Sequence, residues 1–174
     1  SYSSPVQTYE TNINGLINLF EVIRNNDSIK SLVVVTSDKC YRNDESKKAF
    51  AENDAMGGLD PYSASKSCAE LISASYAHSF FREKEIRIST VRAGNIIGGG
   101  DWSENRLIPD IIKSIMGKTK LTLRYPGSTR PWQYVLDALT GYLKAGEMQL
   151  TGELSSNFDC FNFGPDDNEE YEVI

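Results

Sequence analysis

The sequence predicts an α/β protein built around a parallel β-sheet. Patterns typical of helices and of strands alternate along its 174 residues, as they do in α/β folds. The run from Leu32 to Val35 is apolar at every position, which is typical of a strand covered by helices on both faces of a parallel sheet. The length is that of about one domain, and a hydrophobic content of 40% is ordinary for a globular chain.

The first half is predicted to contain two helices that flank a strand. Apolar residues recur with the helical period over residues 8–24, which predicts an amphipathic helix. A turn-prone NNDS segment and a strand over residues 31–38 follow. The second helix is expected over residues 61–81, because Asp60 is a favourable N-cap and Pro61 suits the first helical position.

The second half continues the alternation after a polar, turn-prone stretch at residues 42–59. Apolar, β-branched runs predict the strands, and helical periodicity predicts the helices. In order, the predicted elements are a strand at 86–94, a glycine-rich loop at 96–102, a helix at 109–116, a strand at 121–125, a helix at 135–148 and a strand at 160–164.

The charge balance excludes several classes of partner. With 24 acidic against 18 basic residues the net charge is −6, whereas nucleic-acid binding requires a basic face. No apolar run approaches the roughly 18 residues of a membrane span, and the first residues lack the basic start and apolar stretch of a signal peptide. We therefore expect neither nucleic acid nor a membrane as a partner. We expect a cytoplasmic location.

Cysteine and histidine give no sign of a metal site. The cysteines Cys40, Cys68 and Cys160 are widely spaced and form no CxxC pair, so neither a zinc site nor a disulfide framework is indicated. They are expected to be small buried hydrophobic residues. The single histidine, His78, is expected on the surface near the end of the second helix.

The strongest local signal for chemistry is the segment Tyr62-Ser-Ala-Ser-Lys66. Positions i and i+4 of a helix share a face, so the ammonium of Lys66 is expected beside the phenol of Tyr62. A nearby cation favours the phenolate form, which would make Tyr62 usable as an acid or base near neutral pH. The same spacing also occurs on solvated helix faces, so the motif alone leaves both interpretations open.

Polar clusters at the ends of predicted strands favour the catalytic interpretation. Residues 36–39 (TSDK) follow the first strand, and residues 92–95 (RAGN) close the next. Ligand sites of open α/β sheets form beyond the carboxyl ends of strands. Simple polar capping of the strands is the alternative, but the coincidence of these clusters with Tyr62 and Lys66 favours an active site.

Segments along the whole chain resemble the extended short-chain dehydrogenase/reductase family: VTSDKCY, GGLDPYSASK, RAGNIIGGGDW, RLIPD, RPWQYV and FNFGP. Within it the chain most resembles the nucleotide-sugar 4,6-dehydratases, and the pair Asp38-Lys39 resembles members that act on CDP-glucose. The resemblance implies a Rossmann-like parallel sheet with part of a smaller substrate-binding domain. Residues 1–100 would form the C-terminal part of the NAD-binding domain, and residues 101–174 mostly the substrate-binding portion, with a strand returning to the Rossmann sheet.

The resemblance also implies a reaction. Tyr62 would take the proton of the sugar C4 hydroxyl while hydride passes to NAD, and Ser37 would hydrogen-bond the same oxygen. Lys66 would support Tyr62 and hold the nicotinamide ribose. A protonated Asp38 would then donate to the leaving C6 hydroxyl, while a neutral Lys39, or a water, removes the C5 proton. Hydride return to C6 would give a 4-keto-6-deoxy sugar and regenerate NAD.

Cofactor and substrate residues follow from the same resemblance. Tyr62, Lys66 and Arg92 are expected at the NAD cofactor. Arginine suits the diphosphate of a nucleotide sugar because its planar fork pairs with phosphate oxygens, although surface ion pairing is the alternative. The residues expected at the substrate are Asn95, Arg106, Leu107 and Arg130.

A homodimer is expected by resemblance only, with the first helix at the interface. The glycine-rich dinucleotide turn of the family is not in this sequence, so the chain is expected to be an internal segment of a longer enzyme. The alternatives are another nucleotide-sugar dehydratase, an epimerase of the same family, or a protein that keeps the fold without turnover. Epimerases usually carry small residues where Asp38-Lys39 stands, and the retained Ser37, Tyr62 and Lys66 argue against a non-catalytic protein.

Overall fold

The computed structural model describes residues 1–43, 49–103, 105–123 and 126–165, together with the backbone of residues 171–172. The chain divides into two compact units, each of which is described by itself. The first unit comprises residues 1–93 and 140–163, and the second comprises residues 94–139 and 164–174.

Helical segments and strands alternate as predicted. The helical segments are α1 (Pro5–Tyr9), a π-helical turn (Glu10–Asn14), α2 (Gly15–Arg24), a 3-10 turn (Asp38–Cys40), α3 (Pro61–Tyr76), a second π-helical turn (Ala77–Phe81), α4 (Leu107–Gly117) and α5 (Val135–Thr151). The strands are β1 (Ser31–Val35), β2 (Arg87–Ala93), β3 (Asn95–Ile97), β4 (Thr129–Arg130), β5 (Trp132–Tyr134), β6 (Phe158–Phe163) and β7 (Tyr171–Glu172). The predicted helices are confirmed, and so are the strands expected at 31–38, 86–94 and 160–164, although β1 ends at Val35. The loop predicted at 96–102 is wrong for Ile96 and Ile97, which pair with β5 as part of β3, and strands β4 and β5 are not predicted.

The first unit contains a parallel sheet of order β1-β2-β6. Val33 pairs with Ser89, and Thr90 pairs with Cys160. Strand β2 is central and is buried from Ile88 to its end. Because the strands run parallel, their carboxyl ends lie at one edge of the sheet. The α/β class with a parallel sheet is therefore confirmed.

Helix α2 and the π-helical turn that follows α3 pack on this sheet through apolar side chains. Phe20 of α2 makes an edge-to-face contact with Phe81, with ring centroids 5.8 Å apart. These two rings lie among other apolar groups that exclude water from the helix–sheet contact. The buried residues of this core are Phe20, Ile23, Ala77, Phe81, Ile86 and Ile88.

Helix α3 begins as its sequence predicts. The carboxylate of Asp60 accepts hydrogen bonds from the backbone N–H groups of Tyr62 and Ser63, at 3.0 and 3.1 Å. Pro61 occupies the first turn, where its missing N–H has no helical partner to lose. His78 lies exposed in the π-helical turn at the other end, as expected.

Strand β1 is less buried than its apolar run predicts. Residues Ser31–Val35 are only partly buried, and Val35 is 52% exposed. Within the described residues β1 pairs with β2 alone, and an open groove that includes Val33 and Leu143 runs between it and the final turns of α5. The apolar run predicted strand β1 correctly, but the burial of β1 depends on which elements flank it.

The second unit contains small paired strands and helix α4. Strand β3 pairs in parallel with β5, and β4 pairs antiparallel with β7. The strand predicted at 121–125 is wrong for residues 121–123, because a strand needs a hydrogen-bonded neighbour and they have none in the described part of the chain. Arg124 and Tyr125 lie outside the described residues. No helix of the described residues is long and apolar enough to cross a membrane.

Candidate active site

The polar turn that follows β1 forms a compact hydrogen-bonded unit. The Ser37 hydroxyl donates to Asp38 Oδ1 at 3.0 Å and accepts from the Lys39 backbone N–H at 3.2 Å. The ammonium of Lys39 contacts Asp38 Oδ2 at 2.6 Å, which is a direct ion pair. Ser37 is buried, whereas the side chain of Lys39 is half exposed, so the charged end of the turn is open to a ligand.

Tyr62 and Lys66 share a face of α3, as the spacing predicts. The Lys66 ammonium lies 5.9 Å from the centroid of the Tyr62 ring. The Tyr62 side chain is 38% exposed and accessible to a ligand. Burial lowers the pKa of Lys66, and the negative charge of Glu70 one turn later partly opposes that effect.

Two hydrogen bonds attach α3 to the β1 end of the sheet. The Lys66 ammonium donates to the carbonyl oxygen of Val35 at 3.2 Å. The buried hydroxyl of Ser67 donates to the carbonyl oxygen of Cys40 at 2.7 Å, at the far side of the Asp38–Cys40 turn. The first unit therefore brings all five predicted catalytic residues to one edge of the sheet.

A polar opening lies next to Tyr62 in the first unit. Its walls come from the N-terminal segment and are rich in hydroxyl and amide groups, which suit a ligand with many hydroxyls. Residues that line it besides Tyr62 are Ser1, Ser3, Ser4, Gln7, Thr8, Thr11 and Asn12.

Arg92 requires a correction. It was expected at the cofactor, but it is 1% exposed and its guanidinium is occupied inside the first unit. Burial alone would lower the pKa of Arg92, but hydrogen bonds to Glu70 and Tyr41 raise it above its usual range. The guanidinium also donates to the carbonyl oxygen of Glu52 at 2.8 Å. Arg92 is therefore a buried structural residue, because its donors are already paired.

The second unit holds the four residues expected at the substrate. Arg106 is exposed and immediately precedes α4, whose first residue is the partly buried Leu107. Asn95 begins β3 and pairs with Trp132, while Arg130 in β4 donates to the carbonyl of its own neighbour Thr129 at 2.7 Å. No hydrogen bond joins these four to one another among the described residues, so their common role stays a prediction.

The cysteines differ in their surroundings. Cys40 is fully buried, and burial raises the pKa of its thiol to about 12, as befits a small hydrophobic residue. Cys68 and Cys160 are only partly buried, so the expectation holds fully for Cys40 alone. The described residues contain no group of histidine, cysteine or acidic side chains that could hold a metal ion.

Sequence reasoning missed two residues that contact this region, Asn12 and Glu70. Asn12, in the first π-helical turn, donates to the Ser65 hydroxyl at 2.9 Å, between Tyr62 and Lys66 on α3. The carboxylate of Glu70 accepts a hydrogen bond from the hydroxyl of Thr36, which belongs to the polar segment at residues 36–39. The signal for Glu70 was its position four residues after Lys66, which places both on one helix face.

Comparisons with known proteins identify a family and several relatives. Residues 1–158 match the protein family described as the NAD dependent epimerase/dehydratase family. The chain is 44% identical to a CDP-glucose 4,6-dehydratase of Salmonella typhimurium, over 97% of this chain and 48% of that protein. It is 27% identical to a dTDP-D-glucose 4,6-dehydratase of Dictyostelium discoideum, over 93% of this chain and 39% of that protein. The chain thus spans about half the length, or less, of these curated relatives.

Solved structures share the fold. A dTDP-glucose 4,6-dehydratase from Bacillus anthracis in complex with NAD superposes with a TM-score of 0.76 at 25% identity, over 95% of this chain and 49% of that one. A UDP-glucose 4-epimerase from Brucella ovis in complex with NAD superposes with a TM-score of 0.82 at 19% identity, over 98% and 54%. The latter likeness bears on the fold alone, and together the two confirm the expected Rossmann-like architecture.

Proposed function

Because the chain belongs to the NAD dependent epimerase/dehydratase family, we propose that the protein is an NAD-dependent hydro-lyase that converts CDP-glucose to CDP-4-keto-6-deoxyglucose. The reaction oxidises C4, removes water across C5 and C6, and returns hydride to C6. The protein's substrate, activity and cofactor are all part of this proposal, since the chain covers about half of the relative that suggests them.

The ion pair between Asp38 and Lys39 is the observation that carries the proposal. Oxidation at C4 needs only Ser37, Tyr62 and Lys66, and epimerases share that requirement. Loss of water across C5 and C6 needs in addition one group that gives a proton and one that takes a proton. Asp38 and Lys39 supply such a pair at the end of β1, in contact at 2.6 Å. The 44% identity to a CDP-glucose 4,6-dehydratase supports CDP-glucose as the substrate.

Tyr62 and Ser37 act at C4 in this proposal. The Tyr62 oxygen takes the proton of the C4 hydroxyl, and the Ser37 hydroxyl hydrogen-bonds the same oxygen. The Lys66 ammonium lies 5.9 Å from the centroid of the Tyr62 ring on the same face of α3, so a positive charge lies close to the group that takes the proton. The exposure of Tyr62 and the adjacent polar opening support access of a sugar.

Asp38 and Lys39 act at C6 and C5. A proton that moves from the Lys39 ammonium to Asp38 along their contact leaves a carboxylic acid beside an amine. The amine then removes the C5 proton, which the C4 ketone has made acidic, while the carboxylic acid protonates the leaving C6 hydroxyl. The pair ends as ammonium and carboxylate again, so the protons balance over the step.

The donor set around Tyr62 fits NAD in part. NAD, when bound, supplies the hydride acceptor for C4 and the hydride donor for C6. Tyr62 and Lys66 present a hydroxyl and an ammonium that suit the hydroxyl groups of a nicotinamide ribose. Arg92 does not fit, because its guanidinium is buried and each of its three nitrogens already donates a hydrogen bond within the first unit.

The remaining expectations belong to the same proposal. Residues 101–174 mostly form a substrate-binding portion. Asn95, which lies just before that range, joins Arg106 and Arg130 at the nucleotide diphosphate, and Leu107 also lies at the substrate. The protein works as a cytoplasmic homodimer, and the exposed apolar side chain of Val22 on α2 supports a helical interface.

The test is turnover by the full-length protein of CDP-glucose in the presence of NAD, followed by the alkaline ultraviolet absorbance of a 4-keto sugar. We expect product with the native protein and a loss of about 10²- to 10⁴-fold with Tyr62→Phe. Dehydration of a different nucleotide sugar in place of CDP-glucose would change the assigned substrate. Inversion at C4 without loss of water would make the protein an epimerase, and no reaction with any nucleotide sugar would contradict the proposal altogether.

A further inference from the structure

Helix α3 carries a third functional group on the face of Tyr62 and Lys66. Glu70 follows Lys66 by four residues and Tyr62 by eight, and residues four apart share a helix face. Eight residues of helix extend about 12 Å, so Glu70 lies well below the reacting groups. Its side chain is almost completely buried, at 1% exposure.

The buried carboxylate of Glu70 is saturated with hydrogen bonds. Its Oε1 accepts from the Thr36 hydroxyl and from Arg92 Nε at 2.9 Å. Its Oε2 accepts from the Thr90 hydroxyl and from Arg92 Nη2, both at 2.7 Å. Four donors thus fill the acceptor sites of the carboxylate, and Arg92 balances its charge. These four hydrogen bonds fix the position of the Glu70 carboxylate within the first unit.

One of these contacts reaches the reacting groups. Thr36 lies between the end of β1 and Ser37, and its backbone N–H donates to the carbonyl oxygen of Val91 at 2.9 Å. Its hydroxyl donates a hydrogen bond to Glu70 and also lies 3.2 Å from the carbonyl oxygen of Val91. Thr90 and Arg92 lie in β2, and neither is adjacent to a residue that acts on the substrate in the proposed reaction. Thr36 is therefore the link between Glu70 and Ser37.

Two side chains of α3, one helical turn apart, form hydrogen bonds with two successive residues at the end of β1. Lys66 binds the carbonyl of Val35, and Glu70 binds the hydroxyl of Thr36. Lys66 is only partly buried and has its own task in the proposed reaction, whereas Glu70 is enclosed. The contact between Glu70 and Thr36 therefore holds the strand end through a side chain that has no part in the proposed reaction.

We propose that Glu70 is a positioning residue: through the Thr36 hydroxyl it fixes Ser37 relative to Tyr62 and Lys66 on its own helix. The inference rests on the proposed function, in which Ser37 and Tyr62 act on the same substrate oxygen. Such a pair must be placed accurately, since a misplacement of about 1 Å can slow a reaction about 100-fold.

The positioning role of Glu70 is best tested by substituting Thr36 and Thr90, whose hydroxyls donate to it, and not Glu70 itself. Glu70→Gln would leave the Arg92 charge buried without its counter-ion, and the protein could unfold for that reason alone. Thr36→Val removes the hydroxyl at nearly constant shape, and Thr36→Ser restores it. Thr90→Val is the matched control, because Thr90 is also buried and donates to the same carboxylate from β2.

Turnover of CDP-glucose by the full-length protein is the first readout. We expect Thr36→Val to lower kcat by about tenfold or more, with KM within about twofold, because Ser37 is displaced while the substrate groups stay in place. Thr36→Ser should return kcat to within about twofold of the native value, and Thr90→Val should keep it there. Equal losses of kcat in Thr36→Val and Thr90→Val would overturn the proposal, since both remove one bond from Glu70.

Hydrogen exchange without substrate is the second readout. The backbone N–H groups of Lys39 and Cys40 donate to the side chain and carbonyl of Ser37, at 3.2 and 3.1 Å. Both should exchange faster in Thr36→Val and at native rates in Thr90→Val. Unchanged exchange in Thr36→Val would overturn the positioning role. If the native protein leaves CDP-glucose unconverted, the proposed function is wrong, and this readout still decides the role of Glu70.

Discussion

The hydroxyl of Ser67, near the middle of α3, donates a hydrogen bond of 2.7 Å to the carbonyl oxygen of Cys40. This bond crosses from the helix that carries Tyr62 to the turn that carries Asp38 and Lys39. It is buried, and Ser67 also lies 3.1 Å from the carbonyl oxygen of Ser63 within its own helix. The polar face of α3 therefore serves as a docking surface for the strand end, which explains why a helix with so many serines is packed inside the first unit.

Ser67→Ala should destabilise the protein by about 1 kcal/mol, because the buried carbonyl of Cys40 loses its side-chain donor. Chemical denaturation of the full-length protein measures this change. The matched control is Ser73→Ala, since Ser73 is buried on the same helix but donates only to Ala69 within it. If Ser73→Ala lowered the free energy of unfolding as much as Ser67→Ala, the contact with Cys40 would contribute no more than a hydrogen bond within the helix.

Two glycines of α5 should respond in opposite ways to alanine. A Cβ atom on Gly141 would lie 2.0 Å from a ring atom of Phe163, so Gly141→Ala must displace that ring. We expect a loss of about 1–3 kcal/mol from overpacking. At Gly146 the nearest side-chain atom, on Val33, would lie at 3.4 Å, an ordinary contact.

Gly146→Ala should therefore stabilise the protein by about 0.5–1 kcal/mol, through the smaller loss of backbone freedom on folding. Thermal unfolding of the two variants beside the native protein provides the comparison. The packing of α5 described above would be wrong if Gly141→Ala were as stable as Gly146→Ala.

Local signals predicted the start of α3 well, and long-range contacts explain where prediction failed. Asp60 and Pro61 specify the helix start through groups within a few residues, and Lys66 reaches Tyr62 by helical spacing alone. The family resemblance predicts Arg92 at the cofactor, but its side chain is buried inside the first unit. Its actual partner, Glu70, is 22 positions away on another element, and the spacing of apolar residues along the sequence does not predict such a contact.

The same distinction applies to strands. The apolar run of β1 predicts extended backbone, but the exposure of Val35 depends on what lies beside the strand. Residues 121–123 have a strand-like composition and form none, because pairing requires a partner that composition does not specify. The sequence thus predicted the helix face that Tyr62 and Lys66 share and the polar turn at Ser37, but not the buried network beside them.

Asp60 should contribute stability that depends on pH. Burial alone would raise the pKa of Asp60, but hydrogen bonds from the Ser63 hydroxyl and from the N–H groups of Ser63 and Tyr62 lower it overall. A carboxylate with a lowered pKa stabilises the folded state above its unfolded value, about 3.9, and loses this contribution as pH falls through the folded value. Asp60→Ala should therefore cost about 1 kcal/mol at neutral pH and progressively less below about pH 4.

Asp60→Asn separates the cap from the charge. Asparagine is also a favourable N-cap, so this variant should keep most of the stability at neutral pH but lose its acid dependence. Denaturation of all three proteins between pH 2 and pH 7, a range that brackets the carboxylate pKa values, gives the comparison. A destabilisation by Asp60→Ala that stays constant over this range would rule out the charged cap.

Asp38→Ala should separate the two halves of the proposed reaction. Without the acid that protonates the C6 hydroxyl, loss of water should slow by about 10²- to 10⁴-fold, whereas Ser37, Tyr62 and Lys66 remain in place for oxidation at C4. Reduced nicotinamide and a 4-keto hexose that retains its C6 oxygen should then accumulate, observed by nicotinamide absorbance and by mass spectrometry of the sugar nucleotide. Asp38→Asn, which keeps the shape and the contact with Ser37, should behave in the same way. Dehydration at the native rate in either variant would remove Asp38 from the reaction and leave its contact with Lys39 as an ordinary surface ion pair.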